Sequence, residues 1–541
     1  MSNTHNLTEA GIVVGEASSN EFFFASKNEE YPPKWEYLVV YSRELVNEKL
    51  EEVPVVAQVE RIASVSDALT KGTEMEALKK IIQAQIEDVR TWGQARVLGF
   101  LSEADGKILQ ARRAVNPGKT VFIAPDDVLA KFYSFPEEEG LHLGELITRA
   151  DVPVSLSVKG FRRHLAIIAQ TGAGKSYTAG VLIEELIRKG ATVIVIDPHA
   201  DYVHMSQKGD GGRHDFTDRV TIFRNPSSTS RAKDLGSVVS YEVAFSDLSD
   251  DDICNIAGIG QDWGNIREAV RLATESLGNN LNAPEDLLAA LEDPKWAVKE
   301  DKDGNSVPDR QMRGSARSAA KYIRDLATLR VFGRTTTKID RFLKPSNLSI
   351  VDLSGLDDRA MNYIASRILK DAYEEAFSGR CEFPVFVVVE EAHKFVPPKT
   401  PTYASSIVNK IAAEGRKFGV FLCLITQRPS KVNPDSLSQC NSQLIMKLTN
   451  PEDQMAVENS SERLSEDLLN DLPGLNPGEC VVVGEVTRAP VMVKVRPRVT
   501  KEGGADIDIV RKLGEARRAA GIDDEMARVK SKREPFKGGF D

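Results

Sequence analysis

Apolar residues change their spacing along the chain, and the changes divide it. Up to about residue 150 they come in short β-branched or aromatic runs: Gly11–Glu16, Glu21–Ser26, Trp35–Tyr41, Val53–Ile62, Ala95–Phe100 and Thr120–Ile123. Turn residues separate the runs (Ser18-Ser19-Asn20, Pro32-Pro33, Asp105-Gly106, Pro117-Gly118). That rhythm predicts a small β-barrel or sandwich. Residues 67–90 interrupt it with helical spacing at Leu69, Leu78, Ile81, Ile82 and Ile86, and Val128–Phe132 with Leu141–Ile147 read as a link onward.

From about 151 strands and helices alternate, the sign of a mainly parallel sheet with helices on both faces. Leu165–Ile168, Ala191–Ile196, Val385–Val389 and Phe421–Ile425 are apolar with little or no alternation, as strands buried on both faces are, and Leu348–Leu353 reads as a further strand. Leu444–Leu448, Cys480–Val483 and Val491–Val495 are later short strands. Tyr177–Arg188, Arg359–Phe377 and Ile407–Lys417 carry helical spacing. Residues 246–335 break the alternation. Asp247–Ile259, Trp263–Leu277 and Gly314–Phe332 are helical and strand signal nearly vanishes, so an all-helical insertion is expected, with a loop at 301–306. The expected organisation is a barrel over 1–150, an α/β core over 151–245 and 336–500, the insertion between them, and a charged tail over 501–541. In the tail a solvated helix should precede a frayed end, where basic residues gather at Arg528–Lys537.

A chain of 541 residues is too long for one core. Hydrophobic content of 41% and charged content of 28% fit a globular protein. No apolar run approaches the roughly 18 residues that span a bilayer, and no secretory signal is visible, so a cytoplasmic protein without a membrane anchor is expected. The five cysteines show no CxxC pairing and read as reduced structural thiols. A net charge of −10 argues against a protein coated in basic surface, yet leaves room for a local basic channel.

The chemistry gathers where buried strands end. AQTGAGKS (169–176) lies between a strand and a helix start, the setting of a phosphate loop. Gly172 and Gly174 let amides turn inward, with Thr171, Ala173 and Tyr177 around them. Lys175 adds a point charge for the outer phosphates, and the Ser176 hydroxyl can ligate Mg²⁺. The full pattern wants Gly at Ala169, a departure confined to the loop entry. VFVVV ends in Glu390-Glu391, where a P-loop enzyme needs acids: Glu390 is assigned to the metal shell and Glu391 to the attacking water. Asp197, ending VIVID, either joins the Mg²⁺ shell, positions a neighbour, or forms an Asp-Pro turn. Gln427, ending FLCLIT, is either a phosphate or water sensor or a satisfied strand-end amide. Arg416 in AEGRKFG can act as an arginine finger or as a cation at a helix C-terminus. Arg163, beside Arg162, can reach phosphate or face solvent. Lys394, Lys399, Arg428 and Lys431 follow the strand ends and either line a DNA pore or sit in solvated loops.

In this order, AQTGAGKS, VIVIDPHADY, VVVEEAHKF, AEGRKFG and LITQRPS resemble the HerA ATPases of the HerA–FtsK branch of P-loop motors, over nearly the whole chain. The resemblance implies an N-terminal HAS-barrel, a RecA-like core with a helical insertion, ATP and Mg²⁺ as cofactors, and a homo-hexamer that translocates or unwinds DNA. It matches Lys175 and Ser176 to Walker A, Asp197 to the second-strand acid, Glu390 and Glu391 to Walker B. It likewise matches Gln427 to the strand-end sensor, Arg416 to a trans-acting finger, and Arg163 to the basic residue ahead of Walker A. It implies partners too: a NurA-like nuclease in DNA end processing, or a defence effector (nuclease or NADase) docked on the barrel. A scaffold whose ATPase gates such an effector without moving DNA is the competing reading, and a secretion-type or protein-remodelling ATPase a third.

Overall fold

The computed structural model describes residues 7–520 apart from 47–48, 85–87, 103–105, 231, 234, 462 and 505–508. The expected frayed end at 528–537 lies outside the described residues.

The N-terminal strands close on themselves. Glu21–Ser26, Glu9–Ala17, Thr120–Ile123, Tyr37–Val46, Lys49–Val65 and Arg90–Leu101 pair in that order, and Glu21–Ser26 pairs back onto Arg90–Leu101 to complete a barrel. Its interior is filled by its own side chains, Val13, Phe22, Phe24, Leu38, Val40, Val55, Val59 and Val121 among them. The periodicity at 67–90 gives one short helix, Met75–Gln83, with no buried residue.

The expected boundary at 150 is corrected by the pairing. Gly140–Leu146 and Arg149–Ser157 do not belong to the barrel. They form an antiparallel hairpin whose first strand pairs with Val491–Val495 and so extends the core sheet. Their apolar residues (Leu141, Leu143, Val152, Val154, Leu156) pack in the core cluster, which settles their allegiance. The barrel stays tied to the core by Trp35 Nε1, which donates to Asp471 Oδ2 at 2.7 Å. Arg149 adds a second tie, pairing with Glu36 at 3.0 Å and Asp126 at 2.8 Å.

The core sheet has twelve strands among the described residues. Its parallel part runs 237–240, 220–224, 348–352, 192–197, 385–389, 420–426, 165–168, 442–446, and the antiparallel edge follows as 479–483, 491–495, 140–146, 149–157. Alternate residues of the parallel strands feed opposite faces. Ile194, Ile196, Val387 and Val389 join one cluster, Val193, Val195, Phe386 and Val388 the other. Helices cover both, so a polar side chain within a strand needs a partner of its own, as Ser349 has in Phe342 O and Gln443 in Ser460 O, and charged groups gather at the strand ends.

The insertion carries helices Asp250–Ala257, Gly264–Leu277, Pro284–Glu292 and Arg310–Thr328. It is not all-helical: Val298–Glu300 and Ser306–Pro308 form a hairpin around the expected loop, joined by Asp301, whose carboxylate accepts from Asp303 N and Asn305 N. Short strands Val243–Ala244 and Phe332–Gly333 pair at its neck. After the last core strand the chain runs back over the core, then forms the exposed helix Ile509–Ala519. Among the described residues no helix is long and apolar enough to cross a membrane.

Candidate nucleotide site

Four strand ends converge. The P-loop strand Leu165–Ile168 lies beside Val420–Thr426, which lies beside Val385–Val389, which lies beside Thr192–Asp197, all parallel. Parallel register puts Thr171–Ser176, Gln427, Glu390-Glu391 and Asp197 along one edge. Positive φ falls on Gly172 (+80°) and Gly174 (+101°), but not on Ala169, which is buried and donates to Thr426 O at 3.2 Å. Alanine therefore fits the loop entry without strain. The helix Lys175–Arg188 starts at once, and its first amides have no carbonyl a turn back to pair with. They and the positive end of the helix dipole face outward from the loop, an arrangement suited to phosphate.

Lys175 reaches both acids. Its Nζ donates to Glu390 Oε1 and, at 2.8 Å, to Glu391 Oε1. Neighbouring side chains on a strand point apart, so one ammonium could not meet both. Glu391 solves this by leaving the strand in the left-handed conformation (φ +52°), an energetically costly choice for a glutamate that recurs at functional sites. Tyr202 Oη donates to Glu390 Oε2 at 2.6 Å, and His393 Nδ1 stands 3.1 Å from Glu391 Oε2. Burial pushes the Glu390 carboxyl up, against the pull of Lys175 and Tyr202. Burial opposes ionisation of Glu391 too, but His393 and Lys175 outweigh it and hold its pKa at about 2. Burial works against the Lys175 ammonium, and the two carboxylates together more than offset that, raising it. The lysine thus rests on two carboxylates, whose oxygens are of the kind that phosphate would offer it.

Gln427 joins the loop through Oε1, which accepts from Thr171 Oγ1. Ala173 is buried and packs the loop against Gly478, whose amide donates to its carbonyl at 3.0 Å. Ser176 Oγ donates to Asp201 Oδ2 at 2.7 Å, a contact that the motif pattern missed. Tyr177 turns its ring from the loop toward the segment 496–504 that follows the last core strand, where its hydroxyl accepts from Arg498 N at 2.7 Å. A serine hydroxyl on a carboxylate, a lysine and an acid pair are the donor set that Mg²⁺ and a triphosphate require, so the residues present fit that group.

Of the expected site residues, Asp197 shares this edge but is committed to other partners, and Arg163 and Arg416 lie at the far edge of the sheet. Asp197 is buried, and its carboxylate is spent on the turn it ends: it accepts from His199 N (3.2 Å), Asp201 N (3.1 Å) and Tyr202 N (3.0 Å). Burial, reinforced by the Asp201 charge, pushes its carboxyl well up. Of the open roles, the Asp-Pro turn is the one its contacts fill. Arg163 precedes the P-loop strand at the opposite edge of the sheet and pairs with Glu485 at 3.2 Å, so it does not reach its own loop. Arg416, in the 3₁₀ turn Gly415–Phe418 ahead of Val420–Thr426, shares that far edge. Between the two arginines sits His164, whose Nδ1 accepts from Leu422 N at 2.9 Å while Nε2 meets Ala412 O at 3.0 Å.

Lys399, Arg428 and Lys431 are exposed on the loops following two adjacent strands, and Asn433 N ties those loops together by donating to Val396 O at 2.8 Å. Lys394 is half-buried instead and lines a cleft of about 370 Å³ beside Asn255, Arg359 and Tyr403. A larger cleft of about 950 Å³, between the insertion and the helices Asp358–Phe377 and Ser405–Glu414, contains none of the P-loop or acid residues.

The fold and the edge constellation define a P-loop ATPase of the RecA-like kind. Comparison with known proteins narrows this. Residues 141–372 match the family model described as helicase HerA, central domain. A probable helicase of Methanocaldococcus jannaschii is 30% identical over 522 residues, covering 92% of this chain and 93% of its own. A probable DNA double-strand break repair helicase HerA of the same organism is 31% identical, covering 82% and 92%. The DNA double-strand break repair helicase HerA of Pyrococcus furiosus is 28% identical, covering 94% and 97%. Among solved structures, VirB4 of Thermoanaerobacter pseudethanolicus is similar at 17% identity with a TM-score of 0.48, covering 67% of this chain and 98% of that one. The chain belongs to the HerA family of ATPases.

Proposed function

We propose that this protein is a ring-forming, ATP-driven translocase or helicase of double-stranded DNA, built as a hexamer with one nucleotide at each subunit interface.

The observation that carries the ring is the separation of Arg416 from Lys175. The strand Val420–Thr426 has 7 residues, so at about 3.3 Å per residue its two ends stand roughly 20 Å apart. No arginine spans that distance. A neighbouring subunit stacked head to tail can bring Arg416, with Arg163 beside it, to the loop of the next. The guanidinium then supplies positive charge where the transition state becomes more negative.

In this reading Lys175 leaves the acids for the outer phosphates. Glu391, relieved of the lysine, gains basicity and takes the proton of the attacking water. Glu390 Oε1, freed likewise, faces the metal shell with Ser176. Mg²⁺, when bound, screens the phosphate charge. Gln427, coupled to Thr171, reports the state of the phosphate to the loop that carries Arg428 and Lys431. DNA enters because the Pyrococcus relative is named a DNA double-strand break repair helicase and because Lys399, Arg428 and Lys431 form an exposed basic group beyond the acid and sensor strands. The barrel, filled by its own side chains, offers an outer surface for docking a nuclease or another effector.

The test is complementation. Arg416→Ala and Lys175→Ala proteins should each be nearly inactive, since arginine fingers contribute on the order of 10³-fold or more. Mixed rings restore some interfaces with both residues intact, so ATPase activity should return in part. A flat rate across all mixing ratios, with subunit exchange confirmed separately, refutes the trans arrangement. Absence of DNA binding at low salt would hand the reading to an effector-gating scaffold.

A further inference from the structure

We propose that Asp201 positions the metal-binding hydroxyl of Ser176, and that the C-terminal strap, residues 496–504, sets Asp201 in place. The inference rests on the nucleotide reading above and deepens it.

Asp201 lies four residues beyond the strand end, where no strand-edge pattern points to it. Two features aim it back at the P-loop helix. Asp197 clasps the turn by accepting from Asp201 N, and Ala200 takes the left-handed conformation (φ +62°), reversing the chain. The Asp201 carboxylate then accepts from Ser176 Oγ at 2.7 Å. A serine that binds a cation offers it an oxygen lone pair and must send its proton elsewhere. A carboxylate placed to accept that proton's hydrogen bond fixes the hydroxyl rotor and enriches the oxygen, as outer partners of metal ligands do. Asp197 cannot serve in its place, because its own oxygens are spent on three amides.

The strap is laced to the same helix. Arg496 Nη2 pairs with Glu184 at 3.1 Å and Glu185 at 2.8 Å. Val499 N and Thr500 N donate to Glu184 Oε1 at 2.9 and 2.8 Å. The Arg498 side chain lies against Gly180, where an added Cβ would stand 2.6 Å from the guanidinium carbon. The strap ends on Asp201. Gly503 N donates to Asp201 O at 3.0 Å, and a Cβ added at Gly504 would lie 2.0 Å from Asp201 Oδ1. Only glycine leaves room for the carboxylate where it meets Ser176. The strap is thereby coupled to the Ser176 hydroxyl through one side chain.

The experiment measures binding of a non-hydrolysable fluorescent ATP analogue to the full-length protein, once in excess EDTA and once across a Mg²⁺ titration. Asp201→Asn should leave affinity in EDTA near the wild-type value and raise the Mg²⁺ midpoint by about 10- to 100-fold. Gly504→Ala should shift the midpoint in the same direction. In a Ser176→Ala background, Asp201→Asn should add nothing. An unchanged Mg²⁺ midpoint in Asp201→Asn overturns the proposal, as does an equal loss with and without metal, which is what a purely structural clasp would give. A shift in Asp201→Asn without one in Gly504→Ala removes the strap from it. If the wild-type protein fails to bind the analogue under any condition, the nucleotide reading itself falls.

Discussion

Neutralising Glu391 should separate binding from turnover in opposite directions. Lys175 is held by two carboxylates, and it must leave both to reach phosphate. The Glu391 side chain is only 8% exposed, so solvent does little to weaken the contact. Its pKa falls from 4.5 to about 2. At 1.36 kcal/mol per unit that is a net preference of roughly 3 kcal/mol for the charged form, what remains of the His393 and Lys175 contributions after burial has opposed them. If about half belongs to the lysine, Glu391→Gln lowers the cost of releasing Lys175 by on the order of 1–2 kcal/mol, about tenfold in nucleotide affinity. The same change removes the group that takes the proton from water, a loss of about 10²- to 10⁴-fold in kcat. Titration with a fluorescent ATP analogue and a phosphate-release assay on one preparation give both numbers. Weaker binding would refute the lysine-release account, and turnover within a few-fold of wild type would remove Glu391 as the base.

Lys175→Ala should abolish nucleotide binding and leave Glu390 buried without its cation. Because burial already raises that carboxyl, the variant's melting temperature should recover toward wild type as pH is lowered, and a parallel offset at all pH values would contradict this. His164 is held neutral, its pKa pushed down to about 4 by burial, with the Arg416 charge adding to the effect. A depressed histidine contributes stability above its unfolded value of 6.5 that is lost as pH falls toward 4. Acid unfolding of His164→Gln, followed by far-UV circular dichroism, should therefore lack part of the wild-type slope between those values. Asp197→Ala leaves three turn amides without an acceptor and should lower stability by about 1–3 kcal/mol or more, read as a lower urea midpoint; an unchanged midpoint would dispute the clasp. Lys399→Glu with Lys431→Glu should reduce DNA-stimulated ATPase while basal activity persists, and equal stimulation would move the DNA path elsewhere.

Local pattern was enough to locate the strands, because a strand buried on both faces is mostly apolar, and Val385–Val389 and Leu165–Ile168 form strands over the ranges of their apolar runs. It was enough for the phosphate loop as well, since Gly172, Gly174, Lys175 and Ser176 do their work within one turn of chain. Pairing was another matter. The hairpin 140–157 carries the same β-rich signal as the barrel strands before it, and only partner choice assigns it to the core sheet. The acid at the end of Thr192–Asp197 looked like a ligand because strand ends usually host ligands, yet a turn with three unsatisfied amides claimed it first. Asp201 took up the contact with Ser176 only because a left-handed alanine folds the chain back, and Gly504 leaves it room from some 300 residues away. Arg163 and Arg416 were legible as cations, but their shared place on the far edge of the sheet follows from strand direction alone. The sequence by itself determined which groups can do chemistry, since that depends on residue type and near neighbours. The tertiary structure decided which of them meet, because hydrogen-bond demand, sheet order and steric room are settled between residues far apart in the chain.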